Sequence, residues 1–217
     1  MPAEADRAAA GPESVAERYR RRADSFEARI AAVRPEQWSH PSPCTAWTAR
    51  DVVDHVVGMH APMLAPLGRR LSPAPSVRED PLGAFRAARA DVEAVLADPA
   101  LAANECSTPM GTMTVEQQID EVVSDDMAQH GWDLARATGQ DDTIDPVDVE
   151  RLWRITSAIP ADVMERYRTP GAFGPGIEVF GPAMPVPADA ALQDRLLGLI
   201  GRDPNWSSPA SPAPSTR

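Results

Sequence analysis

The longest helical pattern in the chain runs from Thr114 to Gly139, and it constrains the fold more than any other feature. Thr114 with Gln117 three residues later predicts a capping box at its start, and Gly139 is a suitable C-terminal stop. Apolar side chains recur along one face: Ile119, Val122, Val123, Met127 and Leu134. Such a helix is stable when other elements cover its apolar face, so the remaining segments decide the architecture.

Three further helices are predicted before this one. The first covers about 12–34, the second begins at Thr48 with Asp51 three residues on, and the third covers about 81–97 with a proline at its first position. The chain shows neither an alternating strand–helix pattern nor a glycine-rich phosphate loop. The sequence therefore predicts an all-α protein built on a four-helix bundle, with a small C-terminal extension.

The domain organisation follows from this pattern. We expect a flexible N-terminal tail, a helical bundle, a C-terminal helical extension packed on it, and a disordered low-complexity tail, at 1–11, 12–145, 146–206 and 207–217. The extension contains a helix over about 146–167 that Pro160 interrupts, then a Gly/Pro-rich extended segment and one last helix. The irregular stretch 97–113 has room for a brief strand.

Charge and composition exclude several classes of protein. The formal net charge is -11, whereas nucleic-acid binders need clustered positive charge. The two cysteines, Cys44 and Cys106, cannot form a secreted disulfide framework. Neither a signal-peptide core nor a membrane-spanning apolar run is present. We expect a cytoplasmic protein, monomer or homodimer, whose partner is a small-molecule substrate and neither nucleic acid nor a membrane.

The four histidines differ in what their positions predict. His40 lies in a proline-rich loop, where a structural or solvent-facing role is expected, and His60 falls near the end of the second helix. His55 projects from the apolar side of that helix and points away from His60, five residues on. Asp126 and His130 are four residues apart, so they lie one above the other on the longest helix.

His55, Asp126 and His130 together suggest a metal site. Two histidines and one carboxylate from two helices of a bundle can bind a divalent ion and leave one position open. Each residue also has a simpler interpretation: a buried histidine with its hydrogen bonds satisfied, and a local Asp–His hydrogen bond. Asp51 and Asp133 lie one turn from His55 and His130, where they either orient a histidine ring or are solvated helix charges.

The blocks "PCTAWTARDVVDHVVGMH", "HGWDLARATGQ" and "LQDRLLGLIGRDPNW" resemble the actinobacterial metal-binding proteins of the DinB/YfiT-like superfamily. More closely, they resemble the group similar to mycothiol-dependent maleylpyruvate isomerase, and the likeness runs from the first helix to Trp206. The resemblance implies a four-helix bundle that binds one divalent metal, zinc foremost and nickel or iron as alternatives. The family pattern places the ligands at His55, Asp126 and His130.

The resemblance also implies a reaction class. The thiol cosubstrate would be mycothiol, and a thiol bound to the metal would become a nucleophile for S-transfer to a small electrophile or for its isomerisation. The isomerases look to use Glu where this chain has Asp126, so the reaction stays open. A thiol-independent isomerase, cyclase or hydrolase, and a non-catalytic metal-braced ligand-binding bundle, are alternatives. Neither cysteine is expected to be a nucleophile, and Cys44 is expected to pack in its loop.

Overall fold

The computed structural model describes residues 13–108, 111–173 and 179–208. Its α-helices are α1 (Val15–Ala31), α2 (Ala49–Leu64), α3 (Pro81–Leu96), α4 (Pro99–Ala102), α5 (Val115–Gln118), α6 (Asp125–Thr138), α7 (Pro146–Ser157), α8 (Ala161–Tyr167) and α9 (Leu192–Leu199). Short 3-10 helices cover Pro35–Ser39 and Ala65–Leu67, and a π-helical stretch covers Ile119–Ser124. An antiparallel hairpin pairs β1 (Glu105–Thr108) with β2 (Gly111–Thr114), with Cys106 opposite Met113.

The helices begin where the local chemistry predicts. Thr48 and Asp51 form a capping box at the start of α2, and Thr114 and Gln117 form one before α5. Both predicted capping boxes are confirmed. Pro81 stands at the first turn of α3. The helix predicted over 146–167 is interrupted at Pro160, as expected: α7 ends at Ser157, and α8 begins directly after the proline.

Four long helical segments close into a bundle. α1 and α2 each pack against both α3 and α6, so each of these four helices has two neighbours in the bundle. The shared core contains aromatic and branched side chains that are almost fully buried: Tyr19, Phe26, Val52, Val56, Phe85, Val92, Ile119, Val123, Met127 and Leu134. The predicted all-α four-helix bundle is therefore confirmed, with the small hairpin as its β structure.

The longest helix is continuous, but it is not a regular α-helix along its whole length. Between α5 and α6 it widens into the π-helical stretch, which the apolar pattern did not predict. The widening brings Asp120 and Asp125, five residues apart, to the same side, where Arg151 of α7 contacts both at 2.6 and 2.7 Å. In a regular α-helix residues five apart diverge by about 140°.

A second apolar cluster lies beside the bundle. Trp132 of α6 packs in it with side chains from α7, α8, α9 and the segments between them: Ile144, Val149, Leu152, Met164, Phe180, Leu196, Leu197 and Ile200. The extended segment near Phe180 and the last helix that follows it agree with the pattern predicted for the C-terminal region. The division of the chain at residue 145 stays a prediction.

Two predictions concern the tails at the two ends of the chain. The N-terminal tail predicted for 1–11 lies outside the described residues, as does all of the predicted C-terminal tail except residues 207 and 208. Within 13–108, 111–173 and 179–208, every helix is too short or too polar to cross a bilayer.

Candidate metal centre

The structure brings His55, Asp126 and His130 together between α2 and α6. The Nε2 atom of His55 lies 3.2 Å from Oδ2 of Asp126, and Nε2 of His130 lies 3.3 Å from Oδ1 of the same carboxylate. The two imidazole rings are 4.7 Å apart between centroids, at an interplanar angle of 67°. One ligand atom from each of the three side chains lies within 4.8 Å of those of the other two.

These separations fit a shared divalent ion. Two ligand atoms that each lie about 2.0–2.1 Å from a tetrahedral zinc are about 3.3 Å apart, which matches both contacts. Oδ2 of Asp126 is also buried, and its 3.2 Å contact with Nε2 of His55 does not have the geometry of a hydrogen bond. A buried carboxylate oxygen of this kind is costly unless a cation or donor compensates it. The donor set and the buried carboxylate oxygen therefore suit zinc, nickel or iron.

The centre is more accessible on its α2 side than on its α6 side. The side chain of His55 is 30% exposed and that of Asp126 is 22% exposed, whereas that of His130 is 8% exposed. Trp47, in the loop before α2, covers one side: its ring centroid lies 4.8 Å from that of His55 and 5.7 Å from that of His130. His55 is the most exposed of the three side chains.

Electrostatics keep the carboxylate ionised. Burial opposes ionisation of Asp126, but attraction first to His130 and then to His55 outweighs it and lowers the pKa of Asp126 below its usual range. Burial likewise opposes protonation of His130, but Asp126 and then Asp133 raise the pKa of His130 well above its ordinary value. Metal binding at this centre would therefore displace a proton from His130.

A buried carboxylate lies behind His130, on the side of the ring away from Asp126. The Nδ1 atom of His130 donates to Oδ2 of Asp133 at 2.8 Å, and Asp133 is fully buried. Arg202, from the segment after α9, donates to both oxygens of Asp133 at 2.8 to 3.1 Å. Burial opposes ionisation of Asp133, but the guanidinium of Arg202 and then His130 lower its pKa. A carboxylate behind a ligating histidine fixes the orientation of the ring.

Cys44 lies against the same carboxylate. Its Sγ is 3.3 Å from Oδ2 of Asp133 and 3.9 Å from Nδ1 of His130. Cys44, His130 and Asp133 thus form a second group with metal-ligand chemistry. Arg202 already supplies a cation to this group, because its Nη2 lies 3.8 Å from Sγ and 2.8 Å from Asp133. The group therefore contains its own positive charge, and the better metal site is the one with His55 and Asp126.

Several predictions about individual residues are tested by these contacts. Asp51 accepts hydrogen bonds from the backbone N–H and the hydroxyl of Thr48, so it caps α2 and the alternative that it orients His55 is wrong. His40 contacts the Ala137 carbonyl through Nδ1 at 3.2 Å, which agrees with a structural role in its loop. Asp133 does contact His130, as predicted for a residue that orients the ring.

His60 lies about one turn before the end of α2, as predicted, and its burial is an additional finding. α2 continues to Leu64, so His60 is fully buried in the bundle. Its Nε2 lies 2.8 Å from the hydroxyl of Tyr19, and its Nδ1 lies 2.7 Å from the Val56 carbonyl. The prediction that His55 and His60 do not share one site is consistent with this placement.

Sequence reasoning missed the parts that Trp47, Cys44 and Arg202 play. Trp47 and Cys44 stand in the first block that carries the family resemblance, and Arg202 stands in the terminal one. Their position in these blocks is the signal by which they could have been identified. No spacing rule connects them with His130, because their contacts depend on the path of the loop and of the C-terminal segment.

The fold and the centre define the class of protein as a four-helix bundle whose helices bring together two histidines and a carboxylate, a candidate site for a divalent ion. Residues 19–138 match the model of the mycothiol maleylpyruvate isomerase N-terminal domain, which is more than half of the chain. The protein therefore belongs to that family.

Relatives and solved structures agree with this membership. Two uncharacterized proteins of Mycobacterium tuberculosis, from strains CDC 1551 / Oshkosh and H37Rv, are 34% identical over 188 residues, which is 85% of this chain and 95% of each relative. The crystal structure of mycothiol-dependent maleylpyruvate isomerase is similar with a TM-score of 0.50 at 16% identity, covering 72% of both chains. A histidine-to-alanine mutant of that enzyme gives a TM-score of 0.50 at 15% identity and the same coverage. At these identities the structures show a common fold.

Proposed function

We propose that this protein is a metal-dependent enzyme in which a low-molecular-weight thiol of the mycothiol type reacts with a small electrophile, by S-transfer or by isomerisation. The observation that carries the proposal is the pair of contacts by which Asp126 joins His55 of one helix to His130 of the other. Family membership supports the choice of thiol, since the family is described by a mycothiol-dependent reaction.

Each residue of the centre has a distinct task in this proposal. His55, Asp126 and His130 would bind one divalent ion, zinc foremost, which supplies the Lewis acidity that lowers the pKa of an incoming thiol. Asp133 accepts the Nδ1–H of His130, and this leaves the Nε2 lone pair directed toward the centre. Trp47 excludes water from one side, while the partly exposed His55 leaves an approach for the cosubstrate and the electrophile.

The protein's own thiol is poorly suited to be the nucleophile. Burial and the neighbouring Asp133 carboxylate raise the pKa of Cys44 despite His130 and Arg202 nearby. A thiol must ionise to react, so Cys44 stays protonated near neutral pH. Cys106 also has a raised pKa, caused by burial, and it lies in the hairpin away from the centre. The nucleophile is therefore expected to come from outside the chain.

The proposal is tested by metal content and thiol dependence together. We would assay the zinc-loaded full-length protein with maleylpyruvate and a panel of other small electrophiles, in the presence of mycothiol, of a different low-molecular-weight thiol, and of none. The expected result is turnover that requires thiol and is lost in His55→Ala. His40→Ala removes a histidine outside the centre and serves as the matched control, with turnover retained.

The possible outcomes separate the remaining functions. Full turnover without any thiol would contradict the proposal and favour a metal-dependent hydrolase, isomerase or cyclase. Stoichiometric metal binding with no turnover of any electrophile in the panel would favour a non-catalytic metal-braced bundle.

A further inference from the structure

The segment after α9 reaches the candidate metal centre from a part of the chain that lies beyond the matched family residues. Gly201 approaches the backbone of Gly181 so closely that a Cβ would lie 2.5 Å from it, and this contact fixes where the next residue starts. Arg202 then extends to Asp133 with its side chain only 11% exposed. Arg136 of α6 donates to the Pro204 carbonyl and attaches the same segment a few residues later.

The contact between Arg202 and Asp133 is two-pronged. Nε lies 3.0 Å from Oδ1, and Nη2 lies 2.8 Å from Oδ2, so the guanidinium fixes the plane of the carboxylate as well as its charge. Oδ2 also accepts the Nδ1–H of His130 at 2.8 Å. A continuous series of contacts therefore runs from Arg202 through Asp133 to the imidazole that faces Asp126.

We infer that Arg202 is a positioning residue of the metal centre, which acts through Asp133 to fix the orientation of the His130 ring. Without Arg202, Asp133 would be a fully buried carboxylate that lacks its cation, a state that favours rotation or protonation of the carboxyl group. The Nδ1–H of His130 would then lose its acceptor, and Nε2 would no longer be directed toward the ion. The C-terminal segment thus completes a centre whose ligands all come from the bundle.

This inference rests on the metal centre of the proposed function and is independent of its thiol chemistry. The first measurement is zinc affinity of the full-length protein, by competition with a chromophoric chelator. Arg202→Gln should weaken zinc binding about 10- to 100-fold, as does the loss of other groups that orient a ligating histidine. Arg202→Lys should be intermediate, because an ammonium group keeps the charge and loses the two-pronged geometry.

A control variant separates two possible effects of Arg202: its ion pair with Asp133 and its attachment of the C-terminal segment to α6. Arg136→Gln removes the hydrogen bond from α6 to the Pro204 carbonyl, together with the ion pair between Arg136 and Asp142, and it leaves the Arg202–Asp133 pair in place. Its zinc affinity should match that of the wild type. An equal loss of affinity in Arg136→Gln and Arg202→Gln would overturn the inference, because attachment of the segment would then explain both.

A double-mutant cycle tests whether Arg202 acts through Asp133. In the Asp133→Asn background, Arg202→Gln should weaken zinc binding no further. The same fold loss in both backgrounds would contradict the proposed route.

A measurement on the metal-free protein tests the role of Arg202 without relying on zinc binding. The Nδ1–H proton of His130 should give a slowly exchanging, low-field NMR signal in the metal-free wild type and in Arg136→Gln, and this signal should be absent in Arg202→Gln. Its persistence in Arg202→Gln would overturn the inference even if the wild type bound no metal. Failure of the thiol assay with these results intact would count against the proposed reaction alone.

Discussion

The buried histidine of α2 predicts a loss of stability in mild acid. His60 is fully buried between α1 and α3, where it contacts the Tyr19 hydroxyl and packs edge-on against Phe85. Burial lowers the pKa of His60 from 6.5 to about 4, although the hydrogen bond to the Val56 carbonyl and the more distant Asp126 and Asp91 act in the opposite direction. In the unfolded chain the same imidazole titrates at its ordinary value.

The sign and size of the effect follow from this difference. Because the folded state binds the His60 proton more weakly, the contribution of His60 to stability is present above pH 6.5 and is lost as the pH falls toward 4. A pKa difference of about 2.5 corresponds to about 3.4 kcal/mol in total. Between pH 7 and pH 5 the expected loss is about 2 kcal/mol.

The assay is denaturant unfolding of the metal-free protein across pH 4 to 8. His60→Gln is the comparison, because Gln can accept from Tyr19 and donate to the Val56 carbonyl while carrying no titrating proton. Subtracting its stability curve from that of the wild type cancels the other titrating groups. The difference should change by about 2 kcal/mol between pH 7 and pH 5, and parallel curves would refute the argument.

The buried ion network and the C-terminal turn give two further predictions. Arg22→Met should lower the free energy of unfolding by about 1.5–3 kcal/mol, because buried Arg22 contacts Asp125 at 2.5 Å and Asp148 at 2.8 Å, whereas Arg151 and Arg21 still neutralise these carboxylates; chemical denaturation measures the change. Gly201→Ala should lower the melting temperature and weaken zinc binding together, because Gly201 has φ +89° and faces the Gly181 backbone.

The predictions for Arg22→Met and Gly201→Ala each have a matched control variant. Arg86→Met breaks an ion pair with Glu27 on the surface, where Arg86 is 60% exposed, and should change stability by at most about 1 kcal/mol. Gly139→Ala places a side chain at φ +67° in open space, so it should cost about 1 kcal/mol and leave zinc affinity unchanged. A loss in either control equal to that of its partner would contradict the structural reason given.

The fold could be predicted from the sequence because its determinants are local. Capping residues such as Thr48 and Thr114 mark helix starts by hydrogen bonds to neighbours three residues away, and the apolar stripe from Ile119 to Leu134 specifies which face is buried. The π-helical stretch escaped prediction because Ile119 and Val123 are buried in it as they would be in a regular helix. The burial of His60 was not predicted, because it depends on the packing of α1 and α3 around the end of α2.

The candidate centre could likewise be predicted only in part. Asp126 and His130 could be paired from their spacing on one helix, and the predicted bundle suggested His55 of another helix as the third ligand, which the family resemblance also implied. Arg202 could not be predicted, because 69 residues separate it from Asp133 and only the packing of the C-terminal segment brings them together.

Metal content is the measurement that tests the central claim most directly. Full-length protein purified without chelator should contain about one divalent ion per chain by elemental analysis, as expected for one site with three protein ligands. Asp126→Asn and His130→Ala should each lose the ion while helix content stays unchanged. His40→Ala should keep it. A wild type that binds no divalent ion, or an Asp126→Asn or His130→Ala variant that binds it as tightly as the wild type, would contradict this assignment.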